Sequence, residues 1–224
     1  MPSSNYGLRR IVIAFLFGGD KREMRSFIGA FVLIIGCVIQ SASAQQTVKV
    51  PEGHGNPVLI DGMFSRDEWQ DAATVKVNDS VTLYFKQFRG HVFIGVKTAT
   101  SYPAYVDMFL LAGANELYNL HASMQIGERT LIGKAWTDRE PPWRWGNHVG
   151  WIANEAKYDP TKDRSLPDKE KVFPYEGKEF QLLRSRFTGK QWRMRVEVRG
   201  ATPDIVFPVG SERLSPARWL ILQL

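Results

Sequence analysis

Cysteine is almost absent, since Cys37 is the single thiol in 224 residues. One cysteine excludes a disulfide framework and a thiolate metal site within one chain. The sequence also lacks the G-x-S-x-G, H-E-x-x-H, Walker A and Rossmann glycine motifs. Its histidines are scattered singly, at His54, His91, His121 and His148. We therefore expect a protein that is not an enzyme. A carboxylate pair such as Glu176 and Glu179 could serve a glycosidase, but sequence spacing cannot give their separation.

A hydrophobic run long enough to cross a membrane is also missing. The run from Phe27 to Ile39 has 13 residues, whereas a spanning helix needs about 20. Basic residues precede the run, and an A-x-A-like site that ends at Ala44 follows it. This is the pattern of a bacterial-type signal peptide. We expect residues 1–44 to be cleaved after Ala44, and residues 45–224 to be one secreted or periplasmic domain with no stable membrane span.

Other interpretations of this segment remain open. The residues from Ile34 to Cys37 resemble a bacterial lipobox, which would make Cys37 the lipidated residue of a lipoprotein. An uncleaved helical anchor is a further alternative. The apolar stretch from Ile11 to Phe17 is unusual upstream of a signal peptide, and it suggests that translation begins at Met24.

A large excess of positive or negative charge is also absent once the predicted signal peptide is removed. Residues 45–224 contain 24 Lys and Arg and 21 Asp and Glu, a net charge of +3. The densest basic segment, Arg184 to Arg199, interleaves its bases with apolar residues. That pattern is typical of a solvated strand face, whereas a nucleic-acid site needs bases clustered on one face. We therefore expect no nucleic-acid partner.

Strand patterns dominate the rest of the chain. The segments from Ser80 to Phe85 and from His91 to Lys97 alternate apolar and polar residues, and the turn from Gln87 to Gly90 separates them. This arrangement predicts an antiparallel hairpin. Further strands are predicted over Tyr105 to Leu111, Leu117 to Ile126 and Trp192 to Arg199. We predict an all-β fold, a jelly-roll-like antiparallel β-sandwich.

One short helix and one long loop region complete the prediction. The segment from Ser65 to Ala72 looks helical, because Ser65 can cap it and Glu68 follows at capping-box spacing. We expect Trp69 on this helix to fill the core. The segment from Thr137 to Pro174 is rich in Pro, Gly, Asp and Lys. It predicts long loops with one embedded strand, and such loops commonly carry function.

The order of several short blocks resembles a known family. The I-D-G turn from Ile60 to Gly62, followed by Glu68-Trp69 and Ala72, resembles the opening signature of family 9 carbohydrate-binding modules and their DOMON-like relatives. The strand from Val106 to Leu110 is similar to the V-E-L-F-L strand of that family, with Asp107 at the acidic position. The resemblance covers most of residues 45–224. It implies a β-sandwich that recognises a poly- or oligosaccharide without cleaving it.

The same resemblance implies a calcium site, but only part of its ligand set is present. The family strand usually has an Asp three residues before the acidic position, and another Asp often closes it. Here Ala104 and Leu111 stand in those places. The remaining candidate ligands are Asp61 and Asp107. Since calcium takes six to eight oxygen ligands, a calcium site and purely structural roles for both carboxylates stay open.

Aromatic residues are concentrated in the segment from Pro141 to Trp151. A sugar ring has apolar C–H faces and hydroxyl edges, so its site needs exposed aromatic planes with polar groups beside them. In an extended chain Trp143 and Trp145 share a face. We predict a carbohydrate site formed by Trp143, Arg144, Trp145, Asn147, His148 and Trp151. The alternative is that these indoles fill one end of the sandwich.

Two other functions remain open. Some DOMON-like sandwiches hold haem b between Met and His or Lys, and Met108, Met124 and His121 fall on predicted strands that could line such a pocket. A protein of this kind would transfer electrons. The last alternative is an accessory envelope protein that binds no small ligand.

Overall fold

Two β-sheets that face each other across an apolar core form the framework of the computed structural model. The structure describes residues 45–99, 105–113, 116–132, 142–146, 149–167, 170–200 and 203–224. The predicted signal peptide and its alternatives lie outside these residues and stay predictions. In the part of the chain that is described, no helix is long and apolar enough to span a membrane.

Short strands follow one another along the chain. In the described ranges they are β1 Thr47–Lys49, β2 Ala73–Lys76, β3 Val81–Phe88, β4 His91–Thr98, β5 Tyr105–Ala112, β6 Glu116–Ala122, β7 Ile126–Ile132, β8 Arg144–Trp145, β9 Trp151–Ala153, β10 Gly177–Leu183, β11 Gln191–Arg199, β12 Ile205–Phe207 and β13 Leu220–Gln223. The helical segments are α1 Arg66–Trp69 and a 3₁₀ turn Pro216–Arg218.

The first sheet has the strand order β1-β13-β11-β5-β6-β7-β8, with β12 beside β11. The second has the order β2-β3-β4-β10-β9. Apart from the parallel pair β1 and β13, the strand pairs of the described residues are antiparallel. The prediction of an antiparallel β-sandwich with one short helix and long loops is therefore confirmed.

The period-two pattern of β11 explains how the core forms. Alternate side chains point to opposite faces of a strand, so Trp192, Met194, Val196 and Val198 all enter the core between the sheets, where they are buried. The opposite face was predicted to be solvated, and that prediction is wrong for Arg195 and Glu197, which are both buried. The segment after β12 covers them: Ser211 accepts a hydrogen bond from Arg195 through its carbonyl, and Arg213 donates to Glu197.

The predicted hairpin is confirmed. The strands β3 and β4 pair from Val81↔Thr98 to Phe88↔His91, so Arg89 and Gly90 form a two-residue turn. Both have positive φ, 46° and 78°, as the right-handed twist of a hairpin with so short a turn requires.

Other element boundaries differ from the predicted ones. The pattern from Leu117 to Ile126 is two strands rather than one, because Ser123 to Gln125 form a turn between β6 and β7. The helix is half as long as predicted. Ser65 occupies its N-cap position without bonding to the helix backbone; its hydroxyl donates instead to Glu68 Oε1 at 2.6 Å.

A segment that includes α1 covers the outer face of the second sheet. Phe64 and Trp69 pack there against Val58 and Phe93. Lys86, on β3, is fully buried beneath the segment, and its Nζ donates to Glu68 O at 2.7 Å, Asn56 O at 3.0 Å and Asp71 Oδ1 at 2.7 Å. These bonds satisfy the ammonium group, which makes its burial affordable. Trp69 is 4% exposed, so it is buried as predicted, but it belongs to this outer cluster and not to the core between the sheets.

Candidate functional site

Trp145 is a large aromatic side chain that remains exposed, at 52% of its surface. It lies on β8, at the edge of the first sheet, opposite Gly127 on β7. A Cβ atom at Gly127 would stand 2.7 Å from Cε3 of Trp145, closer than real contacts allow, and 3.3 Å from Cε3 of Trp143, which is a tight contact. The glycine therefore lets both indoles lie against β7.

The rings of Trp143, Trp145 and His121 form an aromatic cluster on the outer face of the first sheet. The two indoles stack, with centroids 5.2 Å apart and planes inclined by 30°. The imidazole of His121 meets them edge-on, at 5.5 Å from Trp143 and 5.6 Å from Trp145. The ring of Tyr105, on β5, lies 5.7 Å from the imidazole between centroids. These contacts hold the indoles in one orientation without covering Trp145.

Trp143 is more enclosed than Trp145. The guanidinium of Arg129 lies 4.1 Å from its ring centroid, within the range of a cation–π contact. Trp143 is half-buried. Of the two indoles that the sequence grouped together, Trp145 therefore offers the larger surface to a ligand, and Trp143 supports it.

Asp107 connects the aromatic cluster to a charged network on the same face. Its Oδ1 lies 2.8 Å from Nδ1 of His121, and its Oδ2 lies 3.3 Å from Nε of Arg199. Arg199 also contacts Glu197, which accepts from Arg195 and Arg213 as well. Glu197 raises the pKa of Arg199 against the opposing effect of burial. Asp107 thus orients His121 and is already paired with two basic side chains.

Asp61 and Asp107 do not come together. Asp61 lies in the segment over the second sheet, where its Oδ1 accepts from the backbone N–H of Met63 at 2.8 Å. Asp107 points outward from the first sheet, because its neighbours Val106 and Met108 enter the core. They therefore cannot bind one calcium ion together. In the described ranges, no group of three or more Asp, Glu, His or Cys is arranged to hold a metal.

An open cleft of about 610 Å³ borders Trp145. It lies between the β7–β8 edge of the first sheet and the end of β10 in the second, and its lining residues are Glu128, Arg144, Trp145, Val149, Gly150, Leu183, Ser185 and Arg186. Trp145 and Arg144 both belong to this lining, and their side chains leave β8 on opposite faces of the strand.

The carboxylate of Glu128 is the centre of the cleft's charge network. Nη2 of Arg186 donates to both of its oxygens, at 2.9 and 2.8 Å, and Arg144 donates to Oε1. The indole N–H of Trp151 donates to Oε2 at 2.7 Å. Arg144 keeps 64% of its side chain exposed, whereas Glu128 keeps 3%. Neither Glu128 nor Arg186 was predicted from the sequence. The signal for Glu128 was that it lies two residues after the apolar Ile126, and therefore on the same face of the strand.

Trp151 does not join the exposed indoles. It is 2% exposed and stacks on Phe180, with centroids 6.3 Å apart. Its ring faces are therefore closed to a ligand, and the predicted binding role is wrong for this residue. Arg144 donates to Glu128 instead of lying against the indole of Trp145, and its predicted role in sugar binding stays a prediction. Asn147 and His148 lie outside the described residues.

The carboxylates Glu176 and Glu179 have different surroundings. Glu179 is fully buried and accepts from Trp69 Nε1 at 2.9 Å and from the N–H of Gly62 at 2.8 Å. Burial raises its pKa to about 7, although these hydrogen bonds oppose the shift. A hydrogen bond from Lys97 is the main reason why the pKa of Glu176 is lowered. Because no substrate can reach Glu179, the pair cannot serve a glycosidase.

The residues considered for haem are also separated. Met108 is buried in the core between the sheets, whereas His121 belongs to the outer cluster. Met124 lies in the turn between β6 and β7 and is 39% exposed. A haem held axially by Met108 and His121 would have to pass through the sheet.

No family model and no curated protein sequence matches this chain. A solved structure, that of a candidate carbohydrate-binding protein from Bacteroides uniformis, is similar with a TM-score of 0.45 and 12% sequence identity. The similarity covers 80% of this chain and 98% of that one.

Proposed function

We propose that this protein binds carbohydrate without cleaving it, with Trp145 as the surface on which a sugar ring stacks. The observation that carries the proposal is an indole that is half exposed yet held in place by Trp143, His121 and the glycine beneath it. A pyranose ring presents C–H groups to an aromatic face, and an indole that is already immobilised loses little conformational freedom on binding.

Polar side chains stand on both sides of this indole. Arg144 and Arg186 line the cleft on one side, and Tyr105 and Asp107 lie with His121 on the other. Sugar sites combine an aromatic plane with groups that bond the hydroxyl edge. Arg144 and Tyr105 are exposed on these two sides, so the surroundings of the indole supply both parts of such a site.

The resemblance of the short blocks to family 9 modules supports the same function from the sequence. The I-D-G turn, Glu68-Trp69 and the strand from Val106 to Leu110 occur in the family's order. In the structure these residues have supporting roles: the N–H groups of Asp61, Gly62 and Trp69 bond to Glu179. The resemblance therefore bears on the scaffold, whereas the proposed ligand contacts rest on β8 and the cleft.

The proposal includes a location outside the cytoplasm. It rests on the pattern of a signal peptide before Ala44, which would deliver residues 45–224 to the periplasm or the medium. Amino-terminal sequencing of the protein recovered from a periplasmic fraction tests this part. A terminus at Gln45 supports cleavage after Ala44, and an acylated Cys37 would indicate a lipoprotein instead.

A glycan array followed by isothermal titration calorimetry tests the binding proposal. We expect the protein to bind at least one class of oligosaccharide, and Trp145→Ala to reduce that affinity at least tenfold. Trp69→Phe is the matched control, because it changes a buried indole on the second sheet, away from the cleft. Both variants are first compared with the wild type by thermal unfolding.

The result that contradicts the proposal is the absence of binding to every glycan by a folded protein. That outcome favours the accessory protein without a small ligand. Binding that persists unchanged in Trp145→Ala would move the site away from β8. A Soret band after incubation with hemin would support the haem alternative instead.

A further inference from the structure

The cleft beside Trp145 offers mainly hydrogen-bond donors through its side chains. Arg144, Arg186 and Ser185 are the polar lining residues other than Glu128. Guanidinium groups donate and never accept. A neutral sugar hydroxyl both donates and accepts, so a site for neutral sugars profits from carboxylates or amides with free acceptor oxygens.

The one carboxylate in this lining has its oxygens occupied. Glu128 accepts two bonds from Arg186, one from Arg144 and one from the indole of Trp151. A carboxylate has about four lone-pair positions, so these bonds fill the acceptor capacity of Glu128. Its side chain is also 3% exposed. A ligand in the cleft therefore meets the donors that surround Glu128 rather than Glu128 itself.

The charges in the cleft add up to an excess of one positive charge, from two guanidinium groups and one carboxylate. The exposed guanidinium is that of Arg144, whose Nη2 is directed to Glu128 and Thr130. Guanidinium groups bind carboxylates and sulfates with good geometry and charge-assisted hydrogen bonds. The neighbouring Trp145 supplies the ring contact that a simple inorganic anion would not need.

We propose that the ligand is an acidic carbohydrate, whose carboxylate or sulfate group binds Arg144 while its ring stacks on Trp145. This inference rests on the proposed carbohydrate function and names the ligand class for the same site. Acidic groups in carbohydrates come from uronic acids or from sulfate esters, and both present acceptor oxygens to the donors of the cleft.

Two matched pairs of probes test the inference by titration calorimetry. The first is oligogalacturonate and its fully methyl-esterified form, and the second is a sulfated glycosaminoglycan fragment and its desulfated form. In each pair the backbone is kept and the charge is removed. We expect one acidic member to bind at least tenfold more tightly than its neutral counterpart, and the affinity to fall as NaCl is raised.

Variants connect that preference to the cleft. Arg144→Gln should reduce acidic binding about tenfold and leave the neutral member unchanged, which abolishes the preference. Arg164→Gln is the matched control, since it removes the same charge from an exposed loop residue outside the cleft. Val149 is an exposed residue of the lining, so Val149→Glu should weaken acidic binding and Val149→Lys should strengthen it, whether or not Arg144→Gln folds normally.

The outcomes separate this inference from the function on which it rests. Equal or tighter binding of the neutral members overturns the acidic ligand and leaves carbohydrate binding intact. The same holds if the two Val149 variants have equal affinities for the acidic probes. A folded protein that binds none of the four probes and no glycan on the array overturns both.

Discussion

The two sheets place a tryptophan over a glycine on their outer faces, with opposite results. On the second sheet Trp69 and Phe64 lie over Gly95, where an added Cβ would stand 2.6 Å from Phe64 and 3.1 Å from Trp69. On the first sheet Trp145 lies over Gly127. Trp69 is 4% exposed and Trp145 52%. The glycine brings an indole close to the strand, but the chain around the ring decides whether the ring stabilises the fold or stays open to a ligand.

Truncation of the two indoles should give the largest difference. Trp69→Ala removes a buried ring and a hydrogen bond to Glu179, so we expect the free energy of unfolding to fall by about 3–5 kcal/mol. Trp145→Ala should lower it by less than about 1 kcal/mol, because most lost contacts are at the surface. Urea unfolding of both variants provides the measurement. If the losses are equal, the exposed position assigned to Trp145 is wrong.

The second-largest expected effect is a pH dependence of stability that arises from the second sheet. Burial raises the pKa of Glu179 to about 7 from an ordinary 4.5. The folded state therefore holds this proton more tightly, so the stabilisation is complete below pH 4.5 and is lost as the pH rises through 7. The shift corresponds to roughly 3 kcal/mol. Unfolding of the wild type between pH 4.5 and 8 should show this decline, and Glu179→Gln should remove it; a Gln variant with the same decline would assign it to other groups.

Alanine at each glycine gives a smaller, graded comparison. Gly95→Ala forces a methyl group against two buried rings, and such overpacking costs about 1–3 kcal/mol. Gly127→Ala should cost less than about 1 kcal/mol, since the exposed Trp145 can move away. It should instead change the tryptophan fluorescence and weaken ligand binding. Thermal unfolding and emission spectra measure both effects, and a larger stability loss for Gly127→Ala would contradict the comparison.

The smallest expected effect is a loss of stability at low pH. It concerns the segment that covers the outer face of the second sheet. Burial alone would raise the pKa of Asp71, but hydrogen bonds from Lys86 and from the N–H groups of Gly55 and His54 lower it to about 2. Its stabilisation is present above pH 3.8 and is lost as the pH falls through 2. After screening by solvent we expect about 1 kcal/mol. Asp71→Asn should unfold with less dependence on pH in that range, as followed by circular dichroism; an unchanged dependence would mean that Asp71 is not responsible.

The sequence predicted the sheets better than the site. Alternation along β3, β4 and β11 is a local signal, and the inward residues of these strands are buried as expected. The turn at Ser123 to Gln125 was not predicted, because Ala122 and Ile126 on either side of it fit the alternation of one continuous strand. Since β7 was not predicted, the position of Glu128 was not predicted either.

The site depends on contacts between residues far apart in the chain. Arg186 is 58 residues from Glu128, and Trp151 is 23 residues from it. No periodic pattern reports such pairs. The sequence indicated Trp143 and Trp145 because they are two apart in one segment, but the same reasoning included Trp151, whose burial follows from its pairing with β10.

The position of β1 at one edge of the first sheet determines where a fused reporter or a surface tether would lie. Thr47 pairs with Ile221 in the parallel β1–β13 pair, so a linker before β1 and a linker after β13 lie at the same lateral edge of the sheet, at opposite ends of the two strands. Six strand spacings separate β1 from β8 in the sheet order, or about 29 Å at roughly 4.8 Å each. A protein immobilised on a bead or fused to a reporter at this edge would therefore present Trp145 to the solution, unobstructed by its own tether.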